Sequence, residues 1–299
     1  MVNKLDFNNK FPIYINPEFS QCKDSKELLL VGFGLSHPAG IKNLQASWKK
    51  HDSERKAYGR SLRDTKKIKV HDVGGAITLL EIDFENRTSK ILADMSIPTP
   101  MGLLYYEPTE ELLVGSAYSF KTIKGGYFNR DLNNTLFNTI HTLKRSSQGI
   151  YVVSTATDSP LEIDPLNPNV DIWDWIATEN GYSLTRNGNI RAIDRNFNYQ
   201  KWEDEGSSRH TTHINGVEEY NDEYILATLF HQDKLIKINK KTGRSYTIFS
   251  DLTNPHGIHK TKEGFIVSDT RGGKVILFDK NLNHTNTITG NFDWVQDAI

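Results

Sequence analysis

His141, His213 and His256 each open a short apolar strand, and imidazoles delivered to one place from separate strands can do two kinds of chemistry. Neutral ring nitrogens hold transition metals such as Zn, Fe or Cu, and three protein ligands with an open position describe a catalytic metal centre. Histidine also serves as nucleophile or general acid and base, tuned by carboxylates such as Asp72, Asp158 or Asp269. On the first chemistry, His141, His213 and His256 ligate a transition metal ion, and His71, His231 and Arg271 are the catalytic groups beside it. Spacing along the chain does not choose between the two, because the residues come from different strands. The plainer alternative is a solvated polar strand, where a lone histidine is ordinarily a hydrogen-bonded structural residue. Three at corresponding positions of neighbouring repeats weigh toward a site.

The elements that must carry these residues are repeats. Thr211–Asn239 and Asn254–Asp279 are two copies of one unit, and their leading histidines, His213 and His256, stand 43 residues apart. Each copy reads as a histidine-led strand, a polar turn, an apolar strand, a short loop and a third strand ending in Asn or Asp. A fourth strand follows, Ser245–Ser250 or Thr285–Thr289. Four short antiparallel strands at a period of about 40 residues are the signature of a propeller blade.

Taken in order, Ile13–Ile15 is an irregular strand and Lys26–Gly34 has the form of a second blade strand. Residues 35–72 are a long polar insertion containing Trp48, His37 and His51, and the blade resumes with Gly75–Phe84 and Ser89–Asp94. Further units start at Thr99 and Thr139. Residues 177–210 form a second insertion with a hairpin around Arg186-Asn187-Gly188-Asn189, and Trp173 and Trp175 lie on one strand face, packing between blades. The C-terminal N-F-D-W-V-Q-D-A-I resembles one more leading strand. Pairing Trp294–Ile299 with Lys26–Asp94 in a composite blade would hide the sheet edges. The leading positions are then Met101, His141, His213, His256 and Gln296. The expected fold is all-β, a single β-propeller spanning 1–299 with five blades. A sixth blade within the 72 residues between His141 and His213 is the alternative.

In such a blade the start of the first strand and the loop between the second and third strands lie on one face. His141, His213, His256, His37, His51, His71, His231 and His210 map there, with Asp158 and Arg271; only His259 and His284 do not. Arg209, Lys234 and Lys274 on the same rim could attract an anionic substrate, although a solvated loop surface explains each lysine equally well.

Composition bounds the partners. Net charge is −1 over 299 residues, which gives no global pull toward nucleic acid or an anionic membrane. A single cysteine, Cys22, allows no internal disulfide. The N-terminus lacks a signal-peptide core, and no apolar run approaches the roughly 18 residues of a membrane span. The expectation is a cytoplasmic protein acting on a small-molecule substrate, binding neither nucleic acid nor membrane. Its oligomeric state is not encoded in any motif.

The segment H-I-N-G-V-E-E-Y-N-D-E-Y-I-L-A-T-L-F-H-Q-D-K-L-I-K-I resembles a blade of arylsulfotransferase-type propellers, a likeness extending over roughly residues 150–280. The resemblance implies sulfate transfer between phenols through a transiently sulfated histidine. His213 matches the histidine of the H-x-N strand, His231 that of the His-Gln pair, and His256 the next blade's histidine. Phe230 stands where that family has arginine. NHL-type and gluconolactonase-like propellers share the N-P-H-G-I style of strand. Three functions follow as alternatives: a metal-dependent small-molecule enzyme, metal-free histidine group transfer, and a non-catalytic ligand- or protein-binding propeller.

Overall fold

The computed structural model describes residues 4–7, 11–15, 27–33, 76–83, 88–96, 100–125, 127–202, 206–290, 292 and 294–298. The chain divides into two compact units, Met1–Met101 and Gly102–Ile299. In the first, β1 (Lys4–Phe7), β2 (Phe11–Ile15), β3 (Glu27–Phe33), β4 (Ala76–Asp83) and β5 (Thr88–Ser96) form one antiparallel sheet in the order β1-β2-β5-β4-β3. The 35–72 insertion, with His37, His51 and His71, lies outside the described residues.

The second unit is a series of four-stranded antiparallel sheets. They are β6 (Leu103–Tyr106) to β9 (Tyr127–Leu132), with β7 (Glu111–Gly115) and β8 (Phe120–Lys124) between. Next come β10 (Ile140–Arg145), β11 (Ile150–Ser154), β12 (Ser159–Asp164) and β13 (Asn167–Asp174). The third sheet is β14 (Ile214–Asn221), β15 (Tyr224–Leu229), β16 (Lys234–Asn239) and β17 (Ser245–Phe249). The fourth is β18 (Ile258–Lys260), β19 (Gly264–Asp269), β20 (Lys274–Asp279) and β21 (His284–Thr289). Each sheet runs in sequence order, and the leading strands β6, β10, β14 and β18 are successive neighbours. The fold is all-β with blades of the β-propeller type, four of them among the described residues.

Blade geometry follows from residue type. The second strands are almost wholly buried, and β11 is buried at every position. The fourth strand β21 is largely polar and exposed, while β17 is half-buried to exposed. The Asn or Asp that closes each third strand folds the next turn: Asn239 Oδ1 accepts from the amides of Lys241 and Thr242, and Asp279 Oδ1 from those of Asn281 and Asn283. Between blades lie continuous apolar layers. One contains Val153, Trp175, Ile214, Val217 and Ile236, with Trp173 at its margin. Both indoles donate to the third blade, Trp173 to the Lys240 carbonyl and Trp175 to that of Gly243.

Two expectations are corrected. Among the described residues the blades number four rather than five or six. The described residues of 177–210 hold short 3-10 turns and a single bridge, Leu184 to Ile190, at the expected hairpin, and no strands of a further blade between His141 and His213. The composite blade does not form from the C-terminal segment: β1 and β2 complete the N-terminal sheet, and residues 294–298 are not a strand. That segment instead lies along the fourth blade. The Val295 amide donates to the Thr270 carbonyl at 3.2 Å, and Thr270 Oγ1 donates to the Val295 carbonyl at 2.7 Å. Thr155 Oγ1 makes the same bond to the Ile214 carbonyl at the head of β14. The C-terminal segment therefore takes the start of a leading strand, as Gln296 suggests, without the rest of a blade.

No helix of the described residues is long and apolar enough to cross a membrane.

Candidate functional site

The heads of the leading strands place the histidines, and strand register shows which positions correspond. Ile140 pairs with Ser154 and Thr142 with Val153, which leaves His141 as a bulged residue. Ile214 pairs with Leu229 and Gly216 with Thr228, which leaves Asn215 in the same place. In the fourth blade His256 takes it, its amide donating to the Ser268 carbonyl. Two residues earlier in each blade a non-glycine residue adopts left-handed backbone: Thr139 at φ 55°, His213 at φ 50° and Asn254 at φ 52°. His213 is thus not the counterpart of His141 and His256; Asn215 is. The sequence alignment slipped by two residues because it matched histidine to histidine, whereas Asn215-Gly216-Val217 is the counterpart of His256-Gly257-Ile258.

His213 nevertheless joins the cluster from its earlier position. Its ring centroid lies 5.7 Å from that of His141, 4.9 Å from His210 and 5.2 Å from His231. His141 and His256 stack at 6.4 Å. The Phe230 ring stands 5.0 Å from both His213 and His256, edge-on to each. Trp294 of the C-terminal segment packs 5.6 Å from His256. Gly216 is required beneath this cluster, since a Cβ there would collide with the His256 carbonyl oxygen.

A left-handed histidine is a strained one, and it persists only where the surroundings impose it. Here they do so through Asp158, which is fully buried and itself left-handed at φ 53°. Its carboxylate accepts from the amides of Thr211 (2.7 Å), Thr212 (3.0 Å) and His213, and from both threonine hydroxyls. Arg191 Nη1 adds an ion pair at 2.9 Å. The 177–210 insertion supplies Arg191, so this loop holds the His210–His213 segment against the second blade.

Burial sets the charge of the cluster. It pushes His256 and His231 each down to about 4, and it pushes His213 well below the ordinary histidine range, helped by the neighbouring imidazoles. These three rings are neutral at pH 7. Hydrogen bonding also fixes a tautomer. The Thr270 hydroxyl hydrogen goes to the Val295 carbonyl, so Thr270 Oγ1 is the acceptor for His256 Nδ1 at 2.8 Å. His256 therefore carries its proton on Nδ1 and leaves a lone pair on Nε2. His210 and His213 share a 2.7 Å contact between their Nδ1 atoms, in which one nitrogen donates and the other accepts. Among the described residues the His231 ring has only the backbone of His210 close to it as a hydrogen-bond partner.

The structure brings the His141, His213, His256 and His231 rings near one another, His213 from two residues before the position that carries His141 and His256. Arg271 stands exposed at the β19–β20 turn, its amide bonded to the Thr253 carbonyl. Among the described residues no group of three or more His, Cys, Asp or Glu side chains is arranged to hold a metal ion. Phe230 packs edge-on against both His213 and His256. Asn215, Phe230, Thr270 and Trp294 are the site residues that sequence reasoning did not single out. The Thr270 signal was present, since Thr155 and Thr270 occupy the same place in their blades.

No protein-family model matches the chain, and no curated protein matches it. Solved structures do. Virginiamycin B lyase from Staphylococcus aureus is 11% identical over 74% of this chain and 68% of its own, with a TM-score of 0.45. A streptogramin B lyase is 10% identical over 64% of this chain, which spans only 55% of that lyase, with a TM-score of 0.43. A chain of a nidogen/laminin complex is 13% identical over 73% of this chain and 76% of its own, again at 0.43.

Proposed function

We propose that the chain acts on a small molecule at the histidine face by metal-free proton transfer, with His256 as the proton acceptor. The observation that carries this reading is the chain from His256 Nδ1 through Thr270 Oγ1 to the Val295 carbonyl, which leaves Nε2 as an unprotonated base. Orientation of an imidazole by a partner on its other nitrogen is how histidine bases are prepared. His141, His213 and His231 are half-buried beside the buried His256.

A generic base substrate tests it. With 5-nitrobenzisoxazole the base removes the ring C–H proton, the N–O bond breaks, and a cyanophenolate leaves. The expected rate exceeds that of His256→Ala by about 10²-fold, the scale of a positioned general base. It rises with pH through about 4 and is level above, following the lowered His256. A rate no greater than that of the variant contradicts the proposal.

Metal binding is the second reading, favoured by neutral His141-stacked His256 with a free Nε2. Under it, Zn, Fe or Cu would be held by His141, His213 and His256 after Phe230 moves aside. Metal analysis of protein purified without a histidine tag separates the two: stoichiometric metal supports this reading, and its absence after reconstitution opposes it.

A further inference from the structure

Resting on the small-molecule reading above, we propose that Asn215 is a specificity-determining residue of the same site, selecting a ligand that presents a neutral amide group in preference to a carboxylate. Asn215 occupies the register position that carries His141 and His256 in the flanking blades. Its backbone is fixed, because Thr142 Oγ1 donates to its carbonyl at 2.6 Å. Its side chain is only 2% exposed, yet neither the amide nitrogen nor the amide oxygen has a hydrogen-bond partner. Buried amides are almost always bonded within the protein, and one left unmet on both atoms is costly. An isosteric leucine would avoid that cost, so the amide earns its place by meeting something that arrives.

The chemistry of that arrival is set by complementarity. A carboxamide offers a donor and an acceptor side by side, and the partner that satisfies both is another amide or lactam. A carboxylate only accepts, so it would leave Oδ1 unmet. His213, His231 and His256 on the same face are neutral and supply no positive charge of their own to hold an anion. Phe230 and Trp294 beside His256 offer apolar faces to the remainder of the ligand.

Benzamide and benzoate are the probes, titrated into the full chain by NMR, with thermal melting measured alongside. Wild-type protein is expected to bind benzamide at least about tenfold more tightly than benzoate, the scale of one net hydrogen-bond difference. Asn215→Leu should lose that preference while its Tm rises by about 2–4 °C, because an unmet polar group has been removed. A fall in Tm would mean that the amide is bonded within the protein, and it overturns the proposal. So does equal binding of the two probes, absence of benzamide binding, or an unchanged preference in Asn215→Leu. If the preference holds while benzisoxazole turnover fails, the proton-transfer reading falls and the amide assignment stands. The reverse result removes the amide assignment alone.

Discussion

Two layers of polar residues lie three positions apart on the same leading strands, and they are built in opposite ways. The upper layer is His141, Asn215 and His256. The lower is Lys144, Glu218 and His259. In the lower layer Lys144 Nζ donates to His259 Nδ1 at 2.6 Å and pairs with Glu218 at 3.4 Å. His259 Nε2 then donates to Asp297 at 2.6 Å, and Glu218 also accepts from the Lys260 amide. Every group there has found its partner within the chain. The upper layer has a His256 ring held neutral by burial, a strained His213 beside it, and unmet side-chain atoms on Asn215. Strands identical in register thus carry one layer that is closed on itself and one left open, and only the open one asks for a ligand.

The largest effect should come from removing what holds the open layer in shape. Asp158→Leu leaves Arg191 unpaired and three amides without an acceptor, which should cost about 3–5 kcal/mol in denaturant unfolding, the scale of breaking a buried ion pair. A loss below about 1 kcal/mol would show that the 211–213 segment holds itself.

Acid should distinguish the layers next. His256 is neutral in the folded protein down to about pH 4, while in the unfolded chain it takes a proton near 6.5. Its folded value is depressed, so stability is complete above pH 6.5 and declines as pH falls from 6.5 toward 4. For this buried ring the decline approaches about 3 kcal/mol by pH 4. Denaturation curves for His256→Phe should be flatter over that window, and an equally steep decline would place the acid sensitivity elsewhere.

Thr270→Val should have a smaller effect, about 1–2 kcal/mol, through loss of the ties to His256 and Val295. It should also raise the mobility of Trp294, read by its fluorescence anisotropy. Least of all, Lys144→Met in the closed layer should cost under about 1 kcal/mol, because its pairs are partly solvated. Added salt should shrink that cost further. A larger loss than for Thr270→Val would reverse the order of the two layers.

Much of this was legible in sequence, for physical reasons that particular residues illustrate. Apolar alternation and the Asn239 and Asp279 turns wrote the blades, and strand direction put His141, His231 and His256 on one face. The bulge at Asn215 was not legible, because an added residue leaves the apolar pattern on either side intact. Nor was the number of blades, since Trp294–Ala298 has the composition of a leading strand but lacks the partners that would make it one. The tautomer of His256 depends on Thr270 and Val295, which meet only in three dimensions.

The most direct test of the account is the protonation state of His256 itself. A long-range 1H–15N spectrum of ¹⁵N-histidine-labelled protein, assigned with His256→Phe, reads tautomer and titration together. The account predicts a neutral ring at pH 7 with its proton on Nδ1, titrating at about pH 4. A ring protonated on Nε2, or one titrating near the ordinary 6.5, would contradict it.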